Sequence, residues 1–275
     1  MVDFRAPPHV RRFYPDAIKA SVFVEAFLWF ARRNLGVGEH QIALLSSVCS
    51  DDLNSVELPA TDMVGPFILG GLDGYPFVGK TGLRAFSHHI PENGAALLFF
   101  GPHVGITNAG ELGKVVRPGQ SAPSDCCGAA MAGLKKLAAG SIRKKPRADY
   151  AEDDYQQETL EQLLLANAAE ILLPGRPDDG FQFFRTAEVI YREMKQALAD
   201  LLKGVAFERP AFVLGGIVIN EDHGESSDIE IRHAIRIENG QVHDLTSEFK
   251  ERTAARFDEL RAGKTDAFRR TEDRH

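Results

Sequence analysis

The sequence predicts a mixed α/β architecture, a sheet covered by helices. Two observations carry it: stretches of helical periodicity alternate with short apolar runs, and no repeat or low-complexity tract interrupts them. A third excludes a membrane-spanning helix. The longest apolar runs, 95–100 and 211–219, fall far short of the roughly twenty residues such a helix needs.

Residues 16–34 set Ile18, Val22, Ala26 and Phe30 at helical spacing and end in Arg32-Arg33 before Gly36, which predicts a helix with a basic last turn. The apolar run 41–48 reads as a buried strand that stops at Cys49, so this cysteine stands where strand becomes loop. A glycine-dense stretch over 65–82 denies any regular element and predicts tight turns in a functional loop. Residues 94–101 read as a second buried strand, with His103 just past its end. Ser124 and Asp125 then stand as caps before a helix that opens on Cys126-Cys127-Gly128.

Helices are expected over 159–173 and 185–202, and strands over 210–220 and 228–237. The last of these alternates Ile229, Ile231 and Ala234 with charged neighbours, as an exposed or edge strand would. A turn follows at 238–241. In the charged tail, 247–275, Phe249, Phe257, Leu260 and Phe268 are too sparse for a core helix, so it is expected to pack on a partner subunit or fray. No domain boundary stands out, and the chain reads as one domain, 1–275, weakest at 140–156.

The 275 residues, 44% hydrophobic and 26% charged, suffice for a substantial core. A net charge of −7 argues against nucleic acid as a partner. The basic cluster 143–147 meets an acidic stretch at once and reads as a solvated linker. The first residues carry no basic stretch leading into an apolar signal core, so a cytoplasmic protein is expected. Three cysteines in a reducing compartment make no disulfide framework, and adjacent Cys126 and Cys127 cannot pair without strain.

Cys49, His103 and one of Cys126 or Cys127 are the soft ligands that Zn2+ prefers, set at strand ends or a helix start, where α/β sheets build their sites. Three protein ligands leave a fourth position for water, which zinc converts to hydroxide near neutral pH. Their spacing is no standard zinc signature, and each residue type is equally at home in a core. Asp51 is close enough to Cys49 to orient a metal-bound water or to take the open position itself. Its neighbours Asp52 and Asn54 suit the capping of a turn. His88 and His89 offer a proton shuttle, or else loop histidines bonded to backbone.

Five segments taken together resemble a known family: 49–54 (CSDDLN), 66–82 (PFILGGLDGYPFVGKTG), 85–91 (AFSHHIP), 101–106 (GPHVGI) and 126–129 (CCGA). They resemble the limiting-CO2-inducible B/C proteins, also called theta-class carbonic anhydrases, in order over about residues 10–250. The resemblance implies a beta-carbonic-anhydrase-like fold, a largely parallel mixed sheet flanked by helices and assembled as a homodimer. It implies zinc on Cys49, His103 and one of Cys126 or Cys127, and zinc-bound hydroxide attacking CO2 to give bicarbonate.

In the beta class the aspartate two residues after the first cysteine works with an arginine two positions further on. Here that position holds Leu53, so the local dyad is missing, and Arg84 is the substitute considered. Phe67, Phe77 and Phe86 are expected to wall a small apolar pocket. The alternative is a catalytically silent scaffold or sensor of inorganic carbon.

Overall fold

Residues 5–54, 62–173, 179–205, 207–224 and 227–261 are described by a computed structural model. In chain order the first elements are α1 (Pro8–Arg11), β1 (Ile18–Lys19), α2 (Ala20–Leu35), β2 (Ile42–Ser47), β3 (Val64–Ile68), α3 (Gly79–Ser87) and β4 (Ala95–Phe100). Then come β5 (His103–Gly105), β6 (Lys114–Val115), β7 (Ser124–Asp125), α4 (Gly128–Ala138), α5 (Tyr155–Ala166) and α6 (Ala168–Ile171). The chain closes with α7 (Asp179–Lys203), β8 (Ala211–Asn220), β9 (Ser227–Glu238), β10 (Gln241–Asp244) and α8 (Thr246–Arg261). Among the described residues no helix is long and apolar enough to cross a membrane.

The central strands are largely apolar because both faces of the sheet are covered there, which is what β2, β4 and β8 show: every residue in them is buried. The main path runs β1-β9-β8-β4-β2-β3, with β10 also on β9 and β5 also on β8. Strands β3, β2, β4, β8 and β5 pair with one another in parallel, whereas β9 is antiparallel to β8, β1 and β10.

Alternate residues divide the interior into two cores. Leu45, Leu98, Phe100, Val213 and Ile217 face one way, under Leu83 and Phe86 of α3, Leu134 of α4 and Ile190 and Met194 of α7. Leu44, Leu97, Phe99, Phe212 and Leu214 face the other, under Phe23, Phe27 and Phe30 of α2. Phe249 of α8 joins this second core, edge-on to Phe30 at 5.3 Å. Tail residues 246–261 are therefore a helix anchored by the deeply buried Phe249 ring, whose burial contributes roughly 1.5–3 kcal/mol. The remainder of the tail lies outside the described residues.

Other expectations are corrected in detail. β9 is not an edge strand: β8 lies on one side of it and β1 and β10 on the other. Arg232 pairs with Glu230 on its own strand and with Glu188 of α7. The register slips where Gly215 faces His233 and Gly216 faces Ile231, leaving Arg232 as an extra residue. That bulge is why Ile231 and Ala234, an odd number of positions apart, share one core. The glycine-dense stretch holds strand β3 and opens α3, with tight turns only between them. Segment 140–156 lies along α5, where Lys145 pairs with Glu158 and Arg147 stacks on Tyr155.

β4 and β5 follow one another along β8, the first beside Ala211–Gly215 and the second beside Val218–Asn220. The break between them is Gly101-Pro102, where a Cβ on Gly101 would lie 2.0 Å from the carbonyl oxygen of Gly216. This close backbone approach delivers His103 to the C-terminal edge of the sheet.

Candidate metal centre

Each candidate ligand is carried to that edge by a different element. Cys49 lies two residues past β2, His103 opens β5, and Cys127 stands at the N-cap of α4. All three are buried, and their ligand atoms lie within 4.8 Å of one another. Two thiols and an imidazole are a donor set suited to zinc. The side chains also show where an ion would sit. His103 Nδ1 is 2.8 Å from the Asn220 side-chain oxygen, whereas its Nε2 is buried and, among the described residues, has no hydrogen-bond partner. A buried imidazole nitrogen beside two sulfurs, without a partner of its own, fits a metal ion.

Cys126 takes another place. Its sulfur is 3.6 Å from His103 Nδ1 and 3.7 Å from the Asn220 oxygen, so it touches the ring through the nitrogen that Asn220 engages. Of the adjacent pair, Cys127 is the one that shares the cluster with Cys49.

The cluster is supported from the turn Leu72–Gly74. The Asp73 N–H donates to Cys49 Sγ at 3.1 Å, and its carboxylate accepts the backbone N–H of His103, also at 3.1 Å. Asp73 has φ of 49°, a conformation that Asp tolerates better than most residues. Gly74 follows with φ of 79° and its carbonyl fixed by the Ser47 hydroxyl at 2.8 Å. Burial lifts the Asp73 carboxyl to about 7, against the pull of His103.

A hydrogen bond from Cys127 brings the Cys49 thiol down to about 4, helped by His103 and opposed by burial. Cys127, the donor, is raised. Burial disfavours a charged His103, but its contacts with Cys126 and Cys49 outweigh this and raise its pKa. The lone pair that would take that proton is also the one a metal would take.

Asp51 is held ionised. Burial opposes the charge, yet Arg117 and the Leu53 N–H bring its pKa down to about 2. Arg117 grips it with two parallel bonds, 2.9 and 2.7 Å, and also reaches Asp52. The loop bearing Arg117 is itself pinned: Asp222 accepts the N–H groups of Val116 at 2.7 Å and Asn108 at 2.8 Å.

The remaining candidates lie apart from this group. Arg84 is exposed on α3, its guanidinium 3.5 Å from the carbonyl oxygen of Gly204, and the partner of Asp51 is Arg117 instead. His88 and His89 are exposed at the end of α3, where His89 packs edge-on against Phe67. The three phenylalanines do not form a single wall. Phe67 packs on Phe86, while Phe77 joins Tyr75 and Tyr155.

Reading the sequence alone missed Arg117, Asp73 and Asn220. For Asn220 a signal existed, since it ends a strand at the same sheet edge as Cys49. Asp73 lay within the glycine-rich stretch, but nothing in local spacing marks Arg117.

No curated protein matches the sequence. Among solved structures, PtLCIB4, a homolog of the limiting CO2-inducible protein LCIB, is 25% identical with a TM-score of 0.74, covering 86% of this chain and 98% of its own. LCIB itself is 18% identical with a TM-score of 0.65, over 85% and 95%, a likeness of fold. The family model for limiting CO2-inducible proteins B/C, beta carbonic anhydrases, matches residues 22–237. With its sheet, its cysteine–histidine–cysteine cluster and this match over most of its length, the chain belongs to the limiting CO2-inducible protein B/C family of beta carbonic anhydrases.

Proposed function

We propose that this protein is a zinc-dependent carbonic anhydrase that interconverts CO2 and bicarbonate. The observation that carries the reading is the buried cluster of Cys49, His103 and Cys127, with the partnerless Nε2 of His103, in a chain of this family. Zinc bound there supplies a Lewis acid that makes a proton of water easy to remove near neutral pH.

The protein's own groups divide the remaining work. Cys49, His103 and Cys127 hold the ion, and Asp73 braces two of them through its N–H and its carboxylate. A carboxylate with a pKa of about 2 is too weak a base to keep a proton at pH 7, so Asp51 acts as a hydrogen-bond acceptor that orients the attacking group. Arg117 fixes that acceptor and places a positive charge where the product becomes an anion.

The same proposal includes a homodimer. Among the described residues β3 is an edge strand, which exposes Val64 and Ile68 near the exposed Val78 that precedes α3, and a second copy would cover them.

The test is zinc content by elemental analysis beside stopped-flow CO2 hydration, on the wild type and a His103→Ala variant. Near-stoichiometric zinc with hydration, both lost in the variant, is the expected result. Zinc without hydration would sink the enzyme in favour of a silent scaffold, and no zinc would sink the ligand set.

A further inference from the structure

We propose that Asn220 is a positioning residue that sets the face His103 presents to the metal and ties that ligand to the Asp51 loop. The inference rests on the metal-centre reading above.

The orientation of the Asn220 amide follows from its neighbours. Its nitrogen is surrounded by oxygens: the Leu53 carbonyl at 3.3 Å, Asn54 Oδ1 at 3.4 Å and the Ser227 hydroxyl at 3.3 Å. Turning the amide over would set its oxygen against the Leu53 backbone carbonyl, which has no hydrogen to offer. The oxygen therefore faces His103 Nδ1, where it can only accept, and Nδ1 must carry a proton. That leaves the Nε2 lone pair for the cluster. Fixing a ligand's tautomer through its other nitrogen is the usual work of a metal's outer partners.

The nitrogen side of the same amide does a second job. Leu53 and Asn54 belong to the turn whose first residue, Asp51, accepts the Leu53 N–H at 3.0 Å. Asn220 thus bonds one metal ligand through its oxygen and the turn of the orienting carboxylate through its nitrogen. It can do so because it is the last residue of β8, pairing with Gly105 of β5 on one side and Ser227 of β9 on the other.

The experiment compares wild type, Asn220→Leu and Asn220→Asp. Zinc affinity is measured by chelator competition, the His103 Nδ1–H by NMR of metal-stripped protein, and fold by thermal unfolding in chelator. The expected result is a protected Nδ1–H in wild type that Asn220→Leu loses, with zinc affinity falling 10–100-fold while the metal-stripped melting temperature stays within a few degrees. Asn220→Asp keeps the acceptor, so it should hold affinity within about threefold of wild type while losing the bonds to Leu53 and Asn54.

An unprotected Nδ1–H in wild type would overturn the proposal. So would unchanged affinity in Asn220→Leu, or an Asn220→Asp variant as weak as Asn220→Leu. Wild type that binds no zinc yet shows the protected proton would refute the metal centre and leave the His103–Asn220 geometry standing.

Discussion

Arg117 and Asp51 meet in a two-bond ion pair across 66 residues of sequence, joining the turn after β2 to the segment after β6. Beta-class sequences provide such an arginine locally. This chain has Leu53 at that place and supplies the guanidinium from another loop.

Removing it should separate orientation from metal binding. Arg117→Ala is expected to retain zinc and lose about 100-fold in CO2 hydration, with Arg117→Lys between the two because an ammonium cannot grip both oxygens. Stopped-flow rates normalised to zinc content check this, and full activity in Arg117→Ala would remove the role given to the pair.

The pair also predicts an acid dependence. Asp51 ionises in the fold near 2, below its ordinary value of 3.8, so its contribution is present above about 4 and is lost as pH falls toward 2. Chemical denaturation should find Arg117→Ala less stable than wild type by about 1–2 kcal/mol at pH 6, the difference shrinking as pH approaches 2.

Asp228 predicts the opposite slope. It is fully buried on β9, and burial, reinforced by Glu221, raises its carboxyl from 3.8 to about 7. The folded protein binds this proton more tightly than the unfolded chain, so stability falls as pH rises from about 4 to 7 and then levels. Asp228→Asn should flatten that fall and be more stable than wild type at pH 8, by a few kcal/mol at most. Urea midpoints measured from pH 5 to 8 will show it, and parallel curves would count against the assignment.

The adjacent cysteines should behave differently. Cys127→Ser is expected to lose zinc, whereas Cys126→Ala, which alters only the contact with His103 Nδ1 and Asn220, should keep near-stoichiometric metal. Elemental analysis of both variants decides it, and the reverse pattern would move the ligand to Cys126.

Much of the fold was legible because buried parallel strands must be apolar on both faces, which made β2, β4 and β8 stand out as short hydrophobic runs. What misled was charge. Asp228, Glu230 and Arg232 made β9 look like an edge, when an ion-pair group with Glu188 and a bulge let it lie inside the sheet. Phe249 looked too isolated for a core helix because its packing partners, Phe23 and Phe30, lie more than 200 residues earlier. The site divides the same way. Cys49 and His103 follow strand ends that periodicity reveals, whereas Arg117 reaches Asp51 through a loop held by Asp222, a relationship that exists only in three dimensions.

The Gly101–Gly216 contact bears on when the metal site can exist during folding. His103 owes its place to a backbone crossing that forms only after β4 has docked beside β8, more than 100 residues further along the chain. A nascent chain that has emerged only through Cys127 already contains every ligand but lacks the strand that seats one of them. The Cys49–His103–Cys127 cluster therefore assembles late in folding, only once the C-terminal half of the sheet has arrived.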